Sequence, residues 1–288
     1  MRVYTRDGTP SQKLGKQLKY IVCFSGGHSS AIAAIETVRR YGKENVILLN
    51  HDICPRSEDV DIKRFKQEVA DYLGLTITYA NMDGWEDKDQ FDVCMEVNAF
   101  KYGIQSSALC TQILKTQPFM KWLSENYPAT PPAIREDVCI MYGFDPNETV
   151  RITRKVGVMA VQGYKTDFPL LWDNRTIHGT EEVGILRPIT YKIFNHANCK
   201  GCLKAGKQHW FVVYCLYPEI WNKAKLAEEV IGYSILRESY LSDLEPEFKI
   251  LREKALPATE KIKFQTFWAM ARKLIKEDDA PLPCDCAV

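Results

Sequence analysis

No stretch of this 288-residue chain approaches the roughly 18 uncharged residues that a membrane helix needs, and the N-terminal MRVYTRDGTPSQKLGKQLKY has no apolar core of the signal-peptide kind. Neither sign of charge dominates. The 38 Lys and Arg stand against 37 Asp and Glu for a net charge of +1, so no global field draws the chain to nucleic acid or to a membrane surface. Internal repeats and low-complexity segments are also missing, which excludes solenoids, fibres and disordered tracts. These absences predict a soluble cytoplasmic protein with no membrane partner. Any basic site must be local.

What is present is a hydrophobic content of 45%, enough for a substantial core, and ten cysteines. Without an export signal the cysteines read as reduced thiols, some of them ligands, rather than as a disulfide framework. Cys23 and Cys139 fall in apolar runs and read as small buried hydrophobes. Cys110, Cys199 and Cys202 have more informative neighbours, and Cys284 and Cys286 in the terminal PLPCDCAV are further candidate ligands.

The first half of the chain alternates strand and helix patterns. Compact β-rich runs occupy 19–24, 45–50 and 75–81, with helical patterns over 29–41 and 59–73 between them. That order predicts right-handed parallel βαβ units. Residues 85–100 read as a helix, 111–127 as a helix interrupted by Pro118, 137–144 as a fourth strand, and 146–160 as a helix opening at Pro146. The stretches GYKTDFPLLWDN and EEVGILRPITY read as loops. Beyond them, 208–217, 219–241 and 258–277 read as helices. Their many Trp, Tyr and Phe residues are taken as core packing, with a homodimer face as the alternative.

At the first strand-to-helix junction stands FSGGHSS, Phe24 to Ser30. Gly26 and Gly27 let the backbone take a positive φ and approach a ligand, while the first NH groups of the next helix point outward without intrahelical partners. With the helix dipole and the hydroxyls of Ser25, Ser29 and Ser30, the segment has the elements of an anion cradle at the carboxyl end of a parallel strand. The alternative is a glycine turn with a serine cap. The loop is neither a Walker A motif, lacking G-x-x-x-x-G-K-S/T, nor G-x-G-x-x-G.

SGGHSS resembles the PP-loop, S-G-G-x-D/S-S, of the adenine nucleotide alpha-hydrolase superfamily. Three more segments are similar to the phosphoadenosine phosphosulfate reductase-like branch in family order: NHDICPRSEDVDIKRFKQEVADYLGL, ALCTQILKTQPFMKWL with its C-T-x-x-L-K-x-x-P pattern, and YGFDPNETVRITR with G-x-x-x-x-E-x-x-R. The resemblance covers roughly residues 18 to 220. It implies an α/β fold: a parallel-sheet Rossmann-like (HUP-type) nucleotide alpha-hydrolase domain over 1–195, with a Cys-containing, mainly helical C-terminal region over 196–288 packed on it.

The resemblance also implies ATP or an adenylyl sulfate nucleotide with its phosphates on Ser25, Gly26, Gly27, His28, Ser29 and Ser30. The reaction expected is adenylylation with pyrophosphate release, coupled to sulfur transfer or reduction. The acceptor would be a nucleic acid or a small molecule. Lys115, Arg151 and Arg154 are the expected catalytic cations, since such transfer needs oriented charge more than covalent help. Asp52, at the end of the second strand, is a candidate for Mg²⁺ or nucleotide, and Glu148 a candidate to hold an arginine. His28 departs from the Asp or Lys common at its position, which makes it either a phosphate donor or a solvent-facing filler.

Cys199-x-x-Cys202 gives two thiolates to one metal or cluster across the turn glycine Gly201. Cys110 stands 89 residues before Cys199, a spacing similar to the branch's iron–sulfur members, although they carry a tandem Cys-Cys where this chain has Leu109-Cys110. One thiolate of four is thus missing. Either His196 or His209 completes a Cys₃His Zn²⁺ site, or three cysteines hold a 4Fe-4S iron–sulfur cluster with an open iron. Cys215 is a further candidate fourth ligand. The C-terminal E-C-G-x-H segment of thioredoxin-dependent sulfate reductases is missing, so assimilatory sulfate reduction is not the first expectation. The second hypothesis is a non-catalytic nucleotide-binding or sequestering module with a structural metal.

Overall fold

The computed structural model describes residues 18–101 and 108–278; Cys284 and Cys286 lie outside the described residues. Five strands, β1 (Lys19–Cys23), β2 (Val46–Asn50), β3 (Ile77–Tyr79), β4 (Arg135–Met141) and β5 (Tyr164–Asp167), form one sheet in the order β3-β2-β1-β4-β5. Every pairing is parallel. The arrangement is a Rossmann-like α/β sheet. Its order reverses direction at β1 and β4, opening a crevice at their carboxyl ends.

Both faces of the sheet are covered, and the alternation of each strand decides which residues go where. Val22, Leu48 and Met141 pack with Ala31 and Ile35 of α1 (His28–Tyr41) and with Phe65 and Val69 of α2 (Val60–Leu73). The intervening Ile21, Leu49 and Ile140 point the other way. They pack with Phe119 and Leu123 of α5 (Gln117–Asn126) and Met159 of α6 (Thr149–Val161).

A third core joins α3 (Gln90–Val97) and α4 (Leu109–Thr111) to the C-terminal helices α7 (Lys207–Leu216), α8 (Pro218–Ile231), α9 (Leu241–Glu253) and α10 (Phe264–Asp278) around Trp210, Phe211, Trp221 and Phe248. The C-terminal helices therefore share their core with two helices from the first half of the chain. Among the described residues no helix is long and apolar enough to cross a membrane.

Several expected elements are shorter than their patterns. The helix read over 85–100 is confined to Gln90–Val97 by a capping box of Asp89 and Asp92 at its start and by Asn98 at φ 55° at its end. The pattern over 219–241 is broken by Gly232 at φ 82°, and α9 then begins afresh at Leu241. The helix read over 258–277 starts only at Phe264. The stretch YKTD, read as loop, is edge strand β5, too short and too polar to show a strand pattern.

Pro118 does not simply interrupt its helix. Between α4 and α5 the backbone widens into a π-helical turn, Gln112–Thr116. Proline cannot donate to the carbonyl four residues back and its ring crowds that carbonyl, which the wider turn accommodates. Lys115 lies in this turn.

Candidate functional site

At the carboxyl ends of β1, β2 and β4 lies a cavity of about 430 Å³, lined among others by Cys23, Ser25, Asn50, Glu58, Lys115 and Lys155. Of the loop residues Ser25 to Ser30, Ser25 opens onto it, and Phe119, Tyr142 and Met159 form much of its apolar wall.

The loop is shaped by close approaches. Gly26 has φ +78°, and a Cβ there would fall 2.8 Å from Ile62 and 2.9 Å from Lys66 of α2. Gly143, after β4, has no such φ but would drive a Cβ to 2.6 Å from the Ser29 carbonyl oxygen, so only glycine lets β4 run this close to the start of α1. Lys66 is fully buried and donates to Glu58 Oε2 (2.7 Å) and Asn50 Oδ1 (3.1 Å), while the Asn50 amide donates to the Phe24 carbonyl. One buried cation thus ties α2, the end of β2 and the turn after β1 together.

The loop hydroxyls are engaged within the protein. Ser25 Oγ donates to Ser30 Oγ (3.2 Å), Ser30 Oγ to the Gly27 carbonyl (2.8 Å), and Ser29 Oγ to Asp145 Oδ2 (3.2 Å). The His28 NH donates to the Tyr191 hydroxyl at 3.0 Å.

The His28 side chain is turned toward the 179–187 segment. It is partly buried rather than solvent-facing, and its Nε2 accepts from the Thr180 NH at 3.2 Å and lies 3.6 Å from Glu181 Oε2. Burial, reinforced by Arg187, lowers its pKa despite the opposing Glu181 carboxylate. A neutral imidazole accepting at Nε2 anchors the 179–187 segment.

The other expected residues divide. Lys115 lines the cavity. Burial alone would lower its pKa, but the sulfurs of Cys199, Cys110 and Cys202 together with the Glu58 carboxylate raise it. Arg151 and Arg154 do not line the cavity: both lie on the exposed face of α6, Arg151 bonded to Glu148 at 2.6 Å and stacked 3.9 Å from the Phe144 ring centre. Lys155 lines it in their place. Its pKa is lowered by burial and by the neighbouring Arg151 and Arg154, with Cys23 opposing. Asp52 is exposed and paired with Lys63 at 2.6 Å, outside the cavity lining.

His51, the residue before it, does line the cavity. Its Nδ1 lies 2.5 Å from the Ala80 carbonyl oxygen, which fixes the proton there and leaves Nε2 as an acceptor. Burial, with Lys115 and Lys66, lowers its pKa to about 4 against the single raising influence of Ala80.

Beyond Lys115 the three expected cysteines come together, each within electrostatic reach of the others and of that lysine. Burial pushes the Cys199 thiol up to about 11 and raises Cys202 as well. Cys110 goes the other way, to about 7, chiefly through a hydrogen bond from Cys94, with Lys115 and Lys204 assisting against burial. The three sulfurs do not lie within 4.8 Å of one another, the spread that defines the one such ligand group among the described residues. A tetrahedral zinc with Zn–S bonds of about 2.3 Å would hold its sulfurs about 3.8 Å apart.

His196 does not join that set. It lies with His209 and Glu260, the ligand atoms of the three all within 4.8 Å. His209 Nδ1 is 2.7 Å and His196 Nε2 3.3 Å from the Glu260 carboxylate. Burial would raise the Glu260 carboxyl, but these two imidazoles outweigh it and hold the group well below the usual carboxylate range. The Cys202 NH donates to His209 Nε2 at 3.4 Å, which directs the imidazole proton to Nδ1 and onto Glu260. A metal would have to displace that proton. The group therefore acts as a hydrogen-bonded clasp, and Asn195 extends it by donating from Nδ2 to the Glu260 carbonyl at 2.8 Å.

No protein-family model matches the chain, and no curated protein matches it.

Proposed function

We propose that the chain is a HUP-type adenine nucleotide alpha-hydrolase of the phosphoadenosine phosphosulfate reductase-like family, an enzyme that uses ATP or adenylyl sulfate in sulfur transfer or reduction. The observation that carries this reading is Lys115, which lines the cavity and is also surrounded by Cys110, Cys199 and Cys202. One cation faces two compartments. In one, a nucleotide would lie with its phosphates toward Ser25 and its base along Phe119, Tyr142 and Met159, in a volume typical of small-molecule sites. In the other, sulfur chemistry would proceed a few ångströms away.

With ATP, on this reading, an oxygen of the acceptor attacks the α-phosphorus, the bond to the pyrophosphate oxygen breaks, and pyrophosphate leaves. A sulfur nucleophile then displaces AMP from the adenylylated acceptor, a nucleic acid or a small metabolite. Lys115 and Lys155 stabilise the charge that develops on the phosphates. His51 offers a neutral Nε2 to accept a proton from the attacking group. Cys110, Cys199 and Cys202 would hold an iron–sulfur cluster, which when bound supplies electrons or a site for inorganic sulfur.

A second reading has its own observation. The loop hydroxyls and the His28 NH are already bonded to protein groups, as in a module that binds a nucleotide without turning it over. Pyrophosphate release from ATP and Mg²⁺, followed with each candidate acceptor, separates the two. Turnover that falls about 10²-fold or more in Ser25→Ala and Lys115→Ala supports the enzyme. Tight nucleotide binding by the wild type with no turnover for any acceptor supports the module.

A further inference from the structure

Gln90, the first residue of α3, is buried, and both ends of its amide are engaged. Oε1 accepts from the buried Ser57 hydroxyl, which directs Nε2 onto the carbonyls of Lys200 (2.7 Å) and Gly201 (3.2 Å). Those are the two residues between Cys199 and Cys202. The Ser57 carbonyl also takes the Lys200 NH at 2.9 Å, and on the other side the Cys202 NH donates to His209 Nε2 at 3.4 Å. The carbonyl and NH of a trans peptide point in opposite directions. The Gly201–Cys202 unit is therefore gripped at both ends, by Gln90 from α3 and by His209 from α7. Gly201 has φ +68°, and a Cβ there would fall 2.6 Å from Ile220 and 3.1 Å from the Phe91 ring, so the turn is wedged between α8 and α3.

Ser57 is followed by Glu58, which lines the cavity and accepts from the buried Lys66. One short segment thus meets the cavity with one residue and the cysteine turn with the residue before it. Resting on the reading that Cys199 and Cys202 take part in the sulfur chemistry, we propose that Gln90 is the positioning residue for that pair. Its amide, oriented by Ser57, fixes the turn and with it the placement of the two thiols beside the cavity. No motif marks this role, because Gln90 and Ser57 lie more than a hundred residues before the turn they hold. The other role open to a buried glutamine is only to satisfy the carbonyls of a tight turn, and its loss would then cost stability and leave the thiols as reactive as before.

The two roles separate with phenylarsine oxide, whose arsenic bonds to two neighbouring thiol sulfurs with loss of one water. The full-length protein is reduced and stripped of any bound metal, and three quantities are followed: the rate of arsenical capture, with the bridged peptides assigned by mass mapping, the ATP affinity by calorimetry, and the denaturant stability. The wild type should be captured across Cys199 and Cys202. Gln90→Met, of similar length but without the two donors, should be captured about 10-fold more slowly or worse, as expected for small misplacements of reacting groups, while keeping the wild-type ATP affinity. Ser57→Ala should slow capture in the same direction. The double variant should be no slower than Gln90→Met alone, because the serine hydroxyl acts through the glutamine; two independent structural losses would add instead. If Gln90→Met does not fold, Ser57→Ala carries the comparison with the wild type. Capture of Gln90→Met, or of Ser57→Ala where it stands in, at the wild-type rate overturns the proposal, as do additive effects in the double variant. A wild type that the arsenical does not bridge at Cys199 and Cys202 overturns the reading of the pair and the proposal with it, so the wild type tells the two failures apart.

Discussion

Arg154 and Lys155 are neighbours in the chain, yet only the lysine reaches the cavity. The reason lies in helix periodicity. Ile152, Lys155 and Met159 share the sheet-facing stripe of α6, whereas Arg151 and Arg154 share the solvent face. Two arginines a turn apart are what a solvated face ordinarily carries; a lysine inside an apolar stripe is the rarer and more informative signal. Lys155→Met should lower the rate of pyrophosphate release about 10²-fold, while Arg154→Met stays close to wild type, as steady-state kinetics would show. His51 makes a prediction about pH. Its folded-state pKa of about 4 lies below its ordinary 6.5, so the unfolded chain binds the proton more readily. Its contribution to stability is complete above pH 6.5 and is lost as pH falls from 6.5 through 4, up to about 3 kcal/mol. Denaturant unfolding at several pH values should show this slope in the wild type and a flatter one in His51→Gln.

At the scale of elements, the parallel sheet and its first two crossover helices were legible because their apolar periodicity is strong over ten or more residues. The edge strand β5 was not, since YKTD has a single apolar residue and takes its conformation from pairing with β4. Nor was the role of Lys66 visible, although its position in the stripe Ile62–Phe65–Lys66–Val69 marks it as buried in the way Lys155 is marked. Lys66→Met should destabilise the fold by about 3–5 kcal/mol in chemical denaturation, because Glu58 is left buried without its partner; adding Glu58→Met should recover part of that loss. Gly143→Ala tests the approach of β4 to α1. The forced contact with the Ser29 carbonyl should cost about 1–3 kcal/mol and weaken nucleotide binding together with stability, as calorimetry with ATP would show.

For the molecule as a whole, the site is assembled from segments far apart in sequence. The clustering of Cys110 with Cys199 and Cys202 was legible from spacing and resemblance. The loss of His196 to the Glu260 clasp was not, because nothing near residue 196 in the chain signals a carboxylate 64 positions away. The shared wall at Lys115 predicts coupling between the two compartments. A bound nucleotide should slow alkylation of Cys110 and Cys199 without affecting Cys215, measured by peptide mass mapping with and without ATP; equal labelling of all three would mean the compartments are independent.

The hydrogen bond from the His28 amide to Tyr191 also sets a schedule for biosynthesis. A ribosome has translated every strand of the sheet once it passes Asp167, but it has not yet reached Tyr191, Thr180 or Glu181, which hold the start of α1. A nascent chain arrested after β5 should fold its sheet and still bind nucleotide poorly. The same chain extended past the Glu260 clasp should bind it fully, which would leave the final stretch of synthesis to decide when the protein becomes competent.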